Sequence, residues 1–156
     1  MNSDFSELLN LLRVHKVRYL IVGGYAVMKY TEPRFTKDLD LWIENSPGNA
    51  QRLHRALTVF GAPVSGYSPQ DFIRSGMVHQ IGVPPLRVDL LTSLPGLSFR
   101  DAWQRRVVSR VGGDRLLFLS LRDLIWSKRK AGRLQDRLDL QNLEKVRERK
   151  RNLKRR

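Results

Sequence analysis

Short apolar runs and amphipathic stretches succeed each other along this chain, and the period of the pattern marks its elements. Ser3 caps a first helix in which Phe5, Leu8, Leu9 and Leu12 recur at helical spacing. Arg18 to Val22 reads as a buried strand, which Gly23-Gly24 ends while opening a short helix through Met28. The segment Thr31 to Thr36, broken by Pro33, is a loop. Asp38 to Ile43 then alternates acid and apolar residues with the period of a strand. Ser46-Pro47 starts a helix that Gly61 stops after Phe60. Ser68-Pro69-Gln70-Asp71 opens another, short and ended by Gly76. Met77 to Ile81 and Arg87 to Leu91 are strand-like, parted by Gly82-Val83-Pro84-Pro85. Phe99 to Arg106 is predicted as a short helix, and Val107 to Val111 with Arg115 to Phe118 flank Gly112-Gly113-Asp114 as a hairpin. Ser120 to Asp123 is a capping box opening a helix through about Arg129. Gly132 interrupts it, and a long helix runs from about Leu134 into the C-terminal tail. This order predicts an α/β (α+β) fold, a mixed β-sheet flanked by helices with a C-terminal helix pair. Residues 1–143 form the expected domain, and 144–156 a basic tail, helical or disordered.

Composition narrows the classes. With 156 residues and no Cys, the chain has the size of one domain and excludes disulfides, thiolate metal sites and a cysteine nucleophile. No apolar run approaches the roughly 18 residues of a membrane helix, and the N-terminus has no signal-peptide pattern. A cytoplasmic protein without a membrane partner is expected. Charge adds a positive prediction: 29 Lys+Arg against 15 Asp+Glu leave +14. From Lys145 to Arg156 eight basic residues stand against Glu148, a net +7 and so half of the total. A second basic belt extends from Arg105 to Arg137. Such a field attracts polyanions, and although the tail alone fits a solubility role equally well, belt and tail together favour nucleic acid.

The candidate chemistry lies on the strand after the glycine turn. Asp38 and Asp40 are two apart, so both project from one face while Leu39, Leu41 and Ile43 enter the core. Adjacent carboxylates repel unless a cation sits between them, and oxygen-only ligands favour Mg²⁺ or Mn²⁺. By the same parity Asp89, between Val88 and Leu90, joins them if its strand is a neighbour. Three carboxylates can hold two metals about 3.5–4 Å apart for in-line attack on a phosphate. Gly23-Gly24 at a helix N-terminus offers backbone N–H groups to that phosphate. Trp42, Trp103 and Trp126 read as core or rim packing, and Trp42, sharing the acidic face, is also a candidate to stack on a base. Gly-x-Gly-x-x-Gly and Walker motifs are absent, and His15, His54 and His79 lack ligand spacing.

An apolar strand, Gly-Gly, the gap Tyr25 to Lys37, Asp38-Leu39-Asp40 and a later Asp89 resemble the signature of the polymerase-beta-like nucleotidyltransferase superfamily. Thr36-Lys37-Asp38-Leu39-Asp40-Leu41 resembles its small prokaryotic branch, which includes minimal transferases and type IV abortive-infection toxins. Leu121 to Lys128, Ala131-Gly132-Arg133, Asp136 and Asp139 resemble that branch's C-terminal helix pair. The resemblance spans Arg18 to Leu143. It implies that Gly23 and Gly24 cradle an NTP, that Asp38 and Asp40 bind both metals, and that Asp89 binds the catalytic one. It further implies that Lys128 contacts the phosphates and that Arg133 and Asp136 support the site, with Arg34 and Lys37 flanking the acids near nucleotide or acceptor. The chain lacks the large helical half of longer relatives, and Gly-Gly stands where many active transferases carry Gly-Ser. The expected function is Mg²⁺-dependent transfer of NMP from an NTP to an RNA hydroxyl. Two competitors are transfer onto a protein hydroxyl in a toxin–antitoxin pair, which needs a partner protein, and a non-catalytic nucleic-acid-binding module.

Overall fold

A computed structural model of the chain describes residues 3–34, 36–83, 85 and 87–156. Phe35 and Pro84 of the predicted loops, and Leu86 before the fourth strand, lie outside these residues. In chain order the elements are α1 (Ser3–Val14), β1 (Tyr19–Val22), α2 (Gly23–Tyr30), β2 (Leu39–Ile43), α3 (Pro47–Phe60), β3 (Val78–Ile81), β4 (Val88–Leu91), α4 (Phe99–Gln104), β5 (Val107–Val111), β6 (Asp114–Phe118), α5 (Leu121–Ala131) and α6 (Leu134–Lys154). The predicted order is therefore present. The segment after Ser68 shrinks to one 3-10 turn, Pro69–Phe72. The tail is helical: α6 passes residue 144 without a break and reaches Lys154.

Six strands form one sheet in the order β3-β4-β2-β1-β6-β5. The sheet is mixed, with β1–β2, β3–β4 and β5–β6 antiparallel and β2–β4 and β1–β6 parallel. Its centre is apolar. Leu20, Ile21, Leu39, Leu41 and Leu90 are fully buried, and each contributes about 1.5–3 kcal/mol on leaving water.

Register divides the sheet into two faces. Leu20 and Val22 of β1 lie opposite Trp42 and Asp40 of β2, and Asp40 lies beside Asp89 of β4, so these share a face. Leu8 of α1, Leu57 of α3 and Val88 of β4 line one cleft on the other face. Asn49, wholly buried at the start of α3, accepts from the Arg18 N–H at 2.7 Å and donates to the carbonyls of Arg18 and Glu44 at 3.0 and 2.8 Å. One side chain thus ties the helix to the ends of both central strands. On the acidic face, Phe99 of α4 meets the Trp42 ring edge-on at 5.1 Å. Trp42 is 1% exposed, which bears out the core-packing reading and rules out the alternative of base stacking: parity gives its face correctly, but α4 seals it.

Candidate active site

The carboxylates meet where three central strands end or begin. Val22, the last residue of β1, pairs with Asp40, and Asp40 pairs with Asp89 on the other side. The strand of Asp89, β4, is therefore the neighbour of β2 that the shared face required. Asp38 stands one residue before β2, and the Leu39 N–H bonds the Arg87 carbonyl at 3.2 Å, which sets Asp38 beside Arg87. Gly23 has φ +65°, and a Cβ there would collide with the Asp40 carboxylate. Only glycine lets the backbone turn this closely over the acid. Gly24 is likewise confined, with Thr36 Oγ1 2.7 Å from where its Cβ would be.

Asp38, Asp40, Asp89, Gly23, Lys128 and Arg133 line one cavity of about 450 Å³, together with Arg87 and Asp136. Gly24 and Lys37 are not on its wall: Gly24 is buried behind the turn, and Lys37 is exposed. Lys128 is on the wall but already committed. Its ammonium lies 3.1 Å from both Asp136 and Asp139 of α6, all three being buried. Arg133, 81% exposed, reaches Asp136 at 2.8 Å.

The electrostatics of the cavity are uneven. Burial, then the neighbouring charges of Asp89 and Asp38, push the Asp40 carboxyl up to about 7, against a smaller opposing pull from Lys128. Around Asp136 burial also acts upward, but hydrogen bonds from Arg133 and Lys128 outweigh it and hold that carboxyl below its usual range. Asp38 Oδ1 is buried with no hydrogen-bond partner among the described residues. Among the described residues no three carboxylate or imidazole groups form a ready-made cation cage. In the acid trio Arg87 bridges Asp89 and Asp38 instead. Its Nε and Nη2 donate to the two Asp89 oxygens at 3.0 and 3.2 Å, and Nη2 lies 3.7 Å from Asp38 Oδ2.

Sequence reasoning missed Arg87 as a site residue, although it lies two before Asp89, the spacing that places side chains on one strand face. It gave Asp139 no role, yet Asp139 holds Lys128 and also Arg34, whose Nη2 is 3.1 Å away. The basic belt is partly spent internally: Arg105 pairs with Asp123 at 2.9 Å and Arg129 with Glu144 at 2.6 Å. Among the described residues no helix is long and apolar enough to cross a membrane.

A family described as "Nucleotidyl transferase of unknown function" matches residues 1–156. Solved structures share the fold at low identity. The lincosamide antibiotic adenylyltransferase LnuA, with lincomycin bound, is 15% identical with a TM-score of 0.61, over 94% of this chain and 98% of that one. ANT(2″)-Ia in complex with adenylyl-2″-tobramycin is 14% identical with a TM-score of 0.59, over 92% and 90%. An antigenic nucleotidyltransferase-like protein from Paracoccidioides brasiliensis is 16% identical with a TM-score of 0.54, over 90% and 72%. No curated protein sequence matches the chain.

Proposed function

The chain belongs to that nucleotidyl transferase family, and from this premise we propose that it moves NMP from an NTP to an acceptor hydroxyl at Asp38, Asp40 and Asp89, with Mg²⁺ as cofactor and RNA as acceptor. The observation that carries the reading is the side-by-side register of Asp40 and Asp89 beneath the Gly23 turn. The donor set fits a hard divalent cation, Mg²⁺ or Mn²⁺: three carboxylates, an orphaned buried Asp38 oxygen, and an Asp40 carboxyl raised by burial and by the charges of Asp89 and Asp38. Bound there, the cation supplies Lewis-acid polarisation of the phosphoryl group.

The chain's own residues supply the rest. Gly23 lets a phosphate approach the backbone with no Cβ in the way. Arg133, whose side chain is largely in solvent, offsets the triphosphate charge, and Lys128, held in the cavity wall by Asp136 and Asp139, adds a weaker field. The acceptor oxygen bonds to the α-phosphorus as the bond to pyrophosphate breaks, and the hydroxyl proton passes to the Asp89 carboxylate. RNA is favoured as acceptor because α6 starts at the cavity with Arg133 and Asp136 and continues into the stretch that holds half the net charge. A second reading, a small-molecule hydroxyl, is favoured by the near-complete coverage of a lincosamide adenylyltransferase.

The test is incubation with Mg²⁺, each α-labelled NTP, cellular RNA and a panel of lincosamides and aminoglycosides, beside Asp38→Asn. Label in RNA that disappears in the variant is expected. Label on a small molecule would move the acceptor, and label on the protein fraction would make it a polypeptide. No labelled product with any acceptor would sink the transferase reading.

A further inference from the structure

We propose that Arg87 is the resident counter-cation of the acid trio, and that a divalent cation enters only by displacing its guanidinium. The inference rests on the metal-site reading above and adds a competitor to it. Arg87 grips Asp89 with a two-pronged fork at 3.0 and 3.2 Å and reaches Asp38 at 3.7 Å. It thereby takes up lone pairs on both Asp89 oxygens that would coordinate a metal, and sets its positive charge against Asp38. The guanidinium and a divalent cation repel each other and need the same oxygens, so the two states exclude one another. Lys128 on the same cavity wall does not substitute, because it is held by Asp136 and Asp139.

The fork is also free to open. The Arg87 carbonyl is fixed by the Leu39 N–H at 3.2 Å, while its side chain retains 29% of its exposure and Asp38 and Asp89 retain 28% and 13%. The side chain can leave for solvent while the strand stays paired. Without metal the guanidinium keeps three repelling carboxylates in register, and with metal it is released at the cavity wall.

The measurement is Mn²⁺ binding to nucleotide-free protein, followed by the loss of the free-ion EPR signal, together with thermal melts. Arg87→Gln should bind Mn²⁺ about tenfold more tightly than the wild type, a size typical of couplings between two ligands. Its metal-free melting temperature should be lower and its gain on adding Mn²⁺ larger. Arg87→Lys keeps the charge but loses the fork, and should fall between the two. Adding Asp40→Asn to either variant should remove the gain. Equal or weaker Mn²⁺ binding in both folded Arg87 variants, with normal binding by the wild type, would overturn displacement alone. Failure of wild type and variants alike to bind Mn²⁺ would overturn displacement and the metal site together.

Discussion

Two carboxylates on the wall of one cavity respond to pH in opposite directions. Asp136 is held below its usual range, so its contribution to stability is present above the unfolded carboxyl value and fades as acid protonates it. Asp40 is raised from 3.8 to about 7, so the folded protein prefers it protonated. Its contribution is full below about pH 4 and is lost as pH rises through about 7. Asp40→Asn is therefore expected to stabilise the metal-free protein at pH 8 by roughly 1–3 kcal/mol, with the difference vanishing at pH 4. Thermal melts in chelator across that range measure it, and a variant that melts below the wild type at pH 8 would contradict the assignment. The pair Asp38 and Asp40 was legible in the sequence because strand parity fixes a shared face, whereas Asp89 joins them only through the β2–β4 pairing. The same parity places Arg87 there, and reading only the acids hid it. The partners of Lys128 were not legible as partners, since their approach depends on how two helices pack.

The helix starts were legible because their chemistry is local. Ser46, Ser98 and Ser120 each accept from the N–H three residues on, at 3.3, 3.1 and 3.1 Å. Element edges were less so: β2 begins at Leu39, where β4 first pairs with it at Val88, which leaves Asp38 outside the strand. For Trp42 the sequence offered both core packing and a base platform, and the choice between them depends on where α4 settles. The α5–α6 pair turns on a buried charge cluster as well as on Leu124, Ile125 and Leu143. Lys128→Met keeps the volume but strands Asp136 and Asp139 without their ammonium, and should cost about 3–5 kcal/mol. Urea unfolding checks this, and a loss under 1 kcal/mol would mean that Arg133 and Arg34 suffice.

At the scale of the molecule, charge and core are separated. In α6 the buried residues are Asp136, Asp139 and Leu143, all before the basic run from Lys145. Deleting 145–156 should shift the melting temperature by no more than about 3 °C. RNA affinity should fall by about 10- to 100-fold at 0.1 M salt, with a flatter salt slope. Filter binding at several salt concentrations decides, and unchanged binding would leave the tail a role in solubility alone. The parallel pairing of β2 with β4 has a consequence of another kind. Asp38, Asp40 and the glycine turn leave the ribosome first, Asp89 arrives only after α3 and β3 have been made, and Lys128 later still. An unfinished chain carries acids without their neighbours. Synthesis itself thus withholds the assembled site until α5 has been made.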